Sequence, residues 1–304
     1  MPQQQEQGLV AYHFANLHVP GLVHAVFTRL GGVSRGSFAT LNISENVADD
    51  PAAVAENRAR IYAYLGIKAE QVVTAGQVHG NRVARVTAAD AGHTLPQTDG
   101  LLTDTPGLAL MLRFADCQPI ILYDPEHHAL ALVHAGWRGA AQGIPRRAVE
   151  AMQSAFGSRP AALIAGLGPA IGPCCYTVGQ DVAAAMGYAL SDWHQVLEPQ
   201  GENLWRFDLP AANAQLLADA GVRDIEQTAI CTACHTEIFF SHRGDGGRTG
   251  RFAVIAFLRE RTAAPPDNPL PEAVAAQPAG AMPDSLQSPG MPALGGDRNP
   301  LRYQ

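Results

Sequence analysis

Residues 108–139 read LALMLRFADCQPIILYDPEHHALALVHAGWRG, and this stretch decides the fold. Apolar runs over residues 108–114, 119–123 and 129–134 have the length of buried strands and follow one another closely. Two of the three begin or end at a side chain that can bind metal, Cys117 and His134. Immediately beyond, residues 138–156 carry a helical pattern through Ala141, Ile144, Ala148 and Met152 that ends at Gly157.

Working outward, residues 22–30 read as a strand stopped by Gly31-Gly32. Asp50 followed by Pro51 offers an N-cap and a first-turn proline, and the helix then runs through Val54, Arg58, Ile61 and Leu65 to Gly66. Residues 161–165, 225–230 and 252–258 read as further strands, and residues 209–220 as a helix. Many short strands with a few interspersed helices predict a mixed α+β or α/β architecture in which sheets pack between helices. There is no internal repeat.

Composition narrows the function. Of 304 residues, 47% are hydrophobic and only 16% charged, enough for a large core. The net charge of -7 argues against a nucleic-acid or membrane-surface role, which would need clustered Lys and Arg. No apolar run reaches the roughly 20 residues of a membrane helix, and residues 1–7 lack the pattern of a signal peptide. The five cysteines, at 117, 174, 175, 231 and 234, are an odd number and predict reduced thiols in the cytoplasm. Residues 263–304 hold nine of the 22 prolines and few large apolar side chains; they predict a disordered tail behind a folded unit of residues 8–262.

Three islands carry the chemistry: Gln77-Val78-His79-Gly80, Ala115-Asp116-Cys117 and His134-Ala135-Gly136-Trp137-Arg138-Gly139. His79, Cys117 and His134 lie 38 and then 17 positions apart, too far for a zinc-finger clip but suited to segments that the fold brings together. Two imidazoles and one thiolate leave a fourth tetrahedral position open, as catalytic zinc requires. Taken singly, each has a plain structural reading, a surface histidine beside glycine or a small buried thiol after a strand. Arg29 before Gly31-Gly32, and Arg138 at a helix start, suit an anion site, with solvated arginines as the alternative.

Two other strings compete. Cys231-Thr232-Ala233-Cys234-His235 matches a c-type haem attachment string, but no export signal accompanies it. His235 and Glu237 beside that cysteine pair resemble a zinc deaminase signature compressed into seven residues, so a strand end packed under a loop is the better reading. Residues 166–175 form a Gly- and Pro-rich loop that is neither a Walker loop nor a dinucleotide fingerprint.

In order along the chain stand Phe27-Thr28-Arg29-Leu30-Gly31-Gly32-Val33-Ser34, Leu41-Asn42, Glu56-Asn57-Arg58, the three islands, Gly168-Pro169-Ala170-Ile171-Gly172-Pro173-Cys174-Cys175-Tyr176, Phe240-Ser241-His242-Arg243 and Thr249-Gly250-Arg251. Together they resemble the YfiH/laccase-domain-containing family, also described as purine nucleoside phosphorylases and as the peptidoglycan editing factor. The resemblance covers about residues 20–258. It departs at Gly244, which stands where the family commonly has a second Arg.

The resemblance implies a single αββα-type sandwich domain and one zinc held by His79, Cys117 and His134. It implies phosphorolysis of adenosine, inosine and methylthioadenosine, together with adenosine deamination. Arg29, Asn42, Gln77 and Arg138 are then the candidates for holding nucleoside or phosphate, and Asp116 is an acid/base or an orienter of an imidazole. Rival readings are a Cys117/His hydrolase acting on peptidoglycan precursors and a non-enzymatic metal-binding protein. Copper oxidase chemistry fits less well, because no His-x-His pair occurs.

Overall fold

A computed structural model describes residues 3–6 and 8–260. Its centre is two facing sheets. The first runs, edge to edge, Gln3–Glu6, Leu9–Tyr12, Leu22–Phe27, Phe252–Leu258, Ala109–Phe114, Val72–Ala75 and Thr94–Leu95. The second runs Asp224–Gln227, Ile164–Leu167, Gln118–Asp124, Ala129–Ala135, Gly100–Thr103 and Val83–Arg85. The chain crosses from one sheet to the other within residues 115–117, so Cys117 sits on the crossover.

Side-chain alternation explains the layering. Leu110, Leu112 and Phe114 point between the sheets, where they meet Ile121, Tyr123, Leu130 and Leu132. Their neighbours Ala109 and Met111 point outward, into a layer closed by Ile61, Tyr62 and Leu65 of the helix Pro51–Leu65. On the far side, Ala129, Ala131 and Val133 face Ala148, Val149 and Met152 of the helix Ile144–Phe156 and Leu217 of the helix Leu209–Asp219. Both faces of each central strand are therefore apolar, which is why these strands read as unbroken hydrophobic runs. The result is the expected αββα sandwich.

Local signals hold where they are chemically specific. Asp50 accepts the backbone N–H of Ala52, and Gly66 closes the same helix with a φ of 66°. The expected helix over 138–156 is instead two helices, Trp137–Ala141 and Ile144–Phe156. The break falls at Gly143, whose φ of 74° turns the chain where another residue would be strained. The strand expected over 22–30 ends at Phe27, where Arg29 turns to bond Ile238. Those expected over 161–165 and 225–230 lie at Ile164–Leu167 and Asp224–Gln227.

A small three-stranded sheet of Thr177–Gly179, Leu204–Phe207 and Leu197–Gly201, with the helix Gln180–Ala189, escaped the sequence reading. It has its own core of Val178, Val182, Met186 and Phe207. The expected tail, residues 263–304, lies outside the described residues, as do residues 261 and 262. No helix among the described residues is long and apolar enough to cross a membrane.

Candidate metal centre

Three segments converge at one end of the sandwich. His79 lies on the loop after Val72–Ala75, Cys117 on the inter-sheet crossover, and His134 near the end of Ala129–Ala135. One ligand atom from each falls within 4.8 Å of the others. The rings of His79 and His134 meet edge-on, with centroids 5.0 Å apart. His134 is buried, Cys117 half-buried and His79 exposed, so the group opens to solvent on the His79 side. Two nitrogens and one sulfur at this separation suit a zinc ion, whose bonds to such donors are about 2.0–2.3 Å.

The backbone is forced to bring these donors together. His79 has a φ of 61° and Asp116 a φ of 81°, both in the left-handed region that residues other than glycine avoid. Each is held there by hydrogen bonds. The amide of His79 donates to Asp99 Oδ1 at 3.0 Å, while those of Val78 and Gly80 donate to Asp99 Oδ2 at 3.1 and 2.9 Å. Gly136 follows from the same crowding: a Cβ there would stand 2.6 Å from Cys117 Sγ and 3.3 Å from His79 Cδ2.

Asp99, fully buried, is the residue that sequence reasoning missed. Its Oδ1 accepts from His134 Nδ1 at 2.9 Å, which fixes the ring and presents the other nitrogen to the site. Burial alone would raise the Asp99 carboxyl, but His134 and the amides of Gly80 and Val78 hold it below the usual carboxylate range. Burial also opposes ionisation of Cys117, yet His134 and His79 outweigh it and bring the thiol down to about 6. His134 answers in kind. Burial disfavours its cation, but Cys117 and Asp99 push it up to about 9.

Asp116 has a different set of partners. Its Oδ1 accepts from Thr232 Oγ1 at 2.7 Å and Ser241 Oγ at 2.6 Å, and its Oδ2 from the amide of Arg243 at 2.7 Å. The imidazole-orienting carboxylate of the site is thus Asp99, while Asp116 ties the loop over residues 232–243 to the crossover.

The four candidates for substrate contact separate as sharply. Arg29 donates to the carbonyls of Ala39 and Thr236, pairs with Asp245 at 3.4 Å and stacks on Phe240. Asn42 is fully buried, accepting from the amides of Ser44 and Arg251 and donating to Asp49. Gln77 bonds both the amide and the carbonyl of Arg113. Arg29 Nε and Nη1 and the side-chain amides of Asn42 and Gln77 are therefore engaged by protein. Arg138 alone of the four is exposed, lying over Trp137 at 4.5 Å.

Burial lowers the pKa of Arg251, opposed by the charges of Cys117 and Asp116, which places its guanidinium within electrostatic reach of the site. Partial desolvation first, and then the charge of Arg251, lower the pKa of His242, against the opposing charge of Asp116. Gly244 has a steric reason: a Cβ there would lie 2.7 Å from Thr236 Cγ2, so this loop has no space for the side chain that the resemblance led us to expect.

A family model described as multi-copper polyphenol oxidoreductase laccase matches residues 23–259. A protein of Deinococcus radiodurans named purine nucleoside phosphorylase is 43% identical over 255 residues, covering 83% of this chain and 94% of that one. Purine nucleoside phosphorylase YlmD of Geobacillus stearothermophilus is 38% identical over 258 residues, 79% of this chain and 91% of its own. The crystal structure of that YlmD superposes with a TM-score of 0.81, covering 85% of this chain and 99% of the other at 36% identity. YfiH of Bacillus licheniformis superposes with a TM-score of 0.80 at 34% identity, covering 84% and 99%.

Proposed function

The chain belongs to the multi-copper polyphenol oxidoreductase laccase family, and from that premise we propose that it is a zinc-dependent purine nucleoside phosphorylase that also deaminates adenosine. The observation that carries the reading is the trio His79, Cys117 and His134, with Asp99 behind His134, open to solvent on one side. The names of its relatives supply the substrate class. Zinc rather than copper suits this site. Coupled copper oxidation needs many histidines, whereas the other histidine-containing ligand group among the described residues is Asp124, Glu126 and His127.

Zinc held there would supply a Lewis acid at the site. The chain's own residues do the rest. Arg138 and Arg243 are exposed, and their guanidinium groups are the candidates for holding phosphate. A phosphate oxygen attacks the anomeric carbon as the bond to the purine nitrogen breaks, so cations that hold phosphate close lower the entropy cost of the step. In deamination, water replaces the exocyclic amine of adenosine and ammonia leaves. Asp99 keeps the His134 ring fixed throughout.

The test is incubation of the full-length protein with adenosine and phosphate, with and without chelator, followed by chromatography. Adenine, ribose 1-phosphate and inosine are expected, with activity lost on chelation and restored by zinc. Absence of all three products rejects the proposal. A second reading rests on the low Cys117 thiol beside cationic His134, the pair that a cysteine hydrolase of peptidoglycan precursors would use. Such an enzyme would keep its activity when metal is removed.

A further inference from the structure

Four of the five cysteines converge away from the His79 group. Cys174 and Cys175 lie on the loop after the strand Ile164–Leu167, and Cys231 and Cys234 on the segment after its parallel neighbour Asp224–Gln227. Their four sulfurs lie within 4.8 Å of one another. Cys174 Sγ is 3.3 Å and Cys175 Sγ 3.4 Å from Cys234 Sγ. A disulfide would bring two sulfurs to about 2.05 Å, which none of these pairs approaches. Thiolates placed tetrahedrally about one zinc, at about 2.3 Å from it, stand about 3.8 Å apart. The 3.3 and 3.4 Å separations lie a few tenths of an ångström below that value, and all four sulfurs fall within 4.8 Å of one another.

We propose that Cys174, Cys175, Cys231 and Cys234 bind a second, structural zinc ion. Four sulfurs satisfy a tetrahedral ion completely, leaving no open position, which is the signature of a structural rather than a catalytic site. The backbone is already arranged for it. The amide of Gly172 donates to Cys231 Sγ at 3.2 Å, a bond that stabilises a thiolate. A turn closed by Cys175 N and Gly172 O at 3.1 Å presents the two adjacent cysteines to the same point. Gly172 itself sits against the group, where a Cβ would lie 3.5 Å from Cys174 Sγ.

The position gives the ion a task. The loops it joins re-pair at Ala170 and Cys231 after their strands have ended. Both then touch the crossover that carries Cys117: Ile171 N donates to Asp116 O at 2.9 Å, and Thr232 Oγ1 to Asp116 Oδ1 at 2.7 Å. An ion at the four cysteines therefore clamps two walls of the first site. The Cys-x-x-Cys-His string belongs to this clamp, and Cys174-Cys175 supplies its other half.

Metal analysis of the dialysed full-length protein separates the two sites. Wild type is expected to hold two zinc ions, Cys117→Ala one, and the double variant Cys174→Ser/Cys234→Ser one. Cobalt loaded into metal-free Cys117→Ala should show the thiolate-to-metal absorption of a tetrahedral tetrathiolate. Should the double variant fail to fold, alkylation of native wild type still decides, since Cys174 and Cys234 are exposed. Their modification should be slow until a chelator is added. Unchanged zinc in the folded double variant, immediate alkylation without chelator, or a Cys174–Cys234 disulfide in fresh protein would each overturn the proposal. None of these readouts depends on nucleoside turnover.

Discussion

His134 works through what stands behind it. Asp99 accepts its Nδ1 proton at 2.9 Å from 35 positions earlier in the chain, and the same carboxylate gathers the three amides of the His79 loop. Replacing Asp99 by Asn removes the charge and turns an amide N–H₂ toward backbone donors. Zinc affinity is expected to fall 10- to 100-fold, the range found when such supporting partners are lost, as read by competition with a chromophoric chelator. Unchanged affinity would mean that Asp99 does not support the ligand. This residue was illegible in the sequence. Nothing local to Thr98-Asp99-Gly100 marks a carboxylate whose partner arrives on another strand.

Among elements, the segment 232–243 depends on Asp116. Three donors converge on that carboxylate from Thr232, Ser241 and Arg243. Asp116→Ala leaves them without their acceptor. A loss of about 3 kcal/mol is expected from a buried charged acceptor of this kind, measured by urea unfolding, with amide exchange rising selectively over this segment. Exchange that rose everywhere, or nowhere, would refute the local anchoring. The regular elements were easier to read. The helix Pro51–Leu65 was legible because its cap, its proline and its terminal glycine are all local. The division of 137–156 was not, because Ala141 and Ile144 keep a helical period across the break at Gly143.

The whole molecule carries a pH dependence from a buried group distant in sequence from the metal ligands. His24, inside the strand Leu22–Phe27, accepts the amide of Phe14 at Nε2, 2.8 Å away. Burial first, then the charges of His13 and His18, pull its pKa down to about 3. The unfolded chain takes up that proton below about 6.5. Between these values the unfolded state binds more protons, so stability rises with pH; it is full above about 6.5 and drains toward 3. The slope is about 1.4 kcal/mol per pH unit. His24→Gln, whose side-chain oxygen can still accept from Phe14, is expected to flatten this acid limb in denaturant titrations run across the window. An unaltered slope would assign the proton uptake to other groups.

By itself, the sequence determined the layers and the ligand types. The apolar runs at 108–114, 119–123 and 129–134 have the length and composition of strands covered on both faces, and neighbouring residues suffice to encode them. Imidazole and thiolate chemistry is likewise a property of single residues. Tertiary structure alone decided which side chains met. It paired His134 with Asp99, gave Asp116 to a loop 116–127 positions away, and gathered cysteines 59 and 60 positions apart. It also committed Arg29, Asn42 and Gln77 to protein partners while leaving Arg138 exposed. Such meetings depend on sheet order and register, which arise from the packing of the whole chain and leave no periodic trace in any one segment.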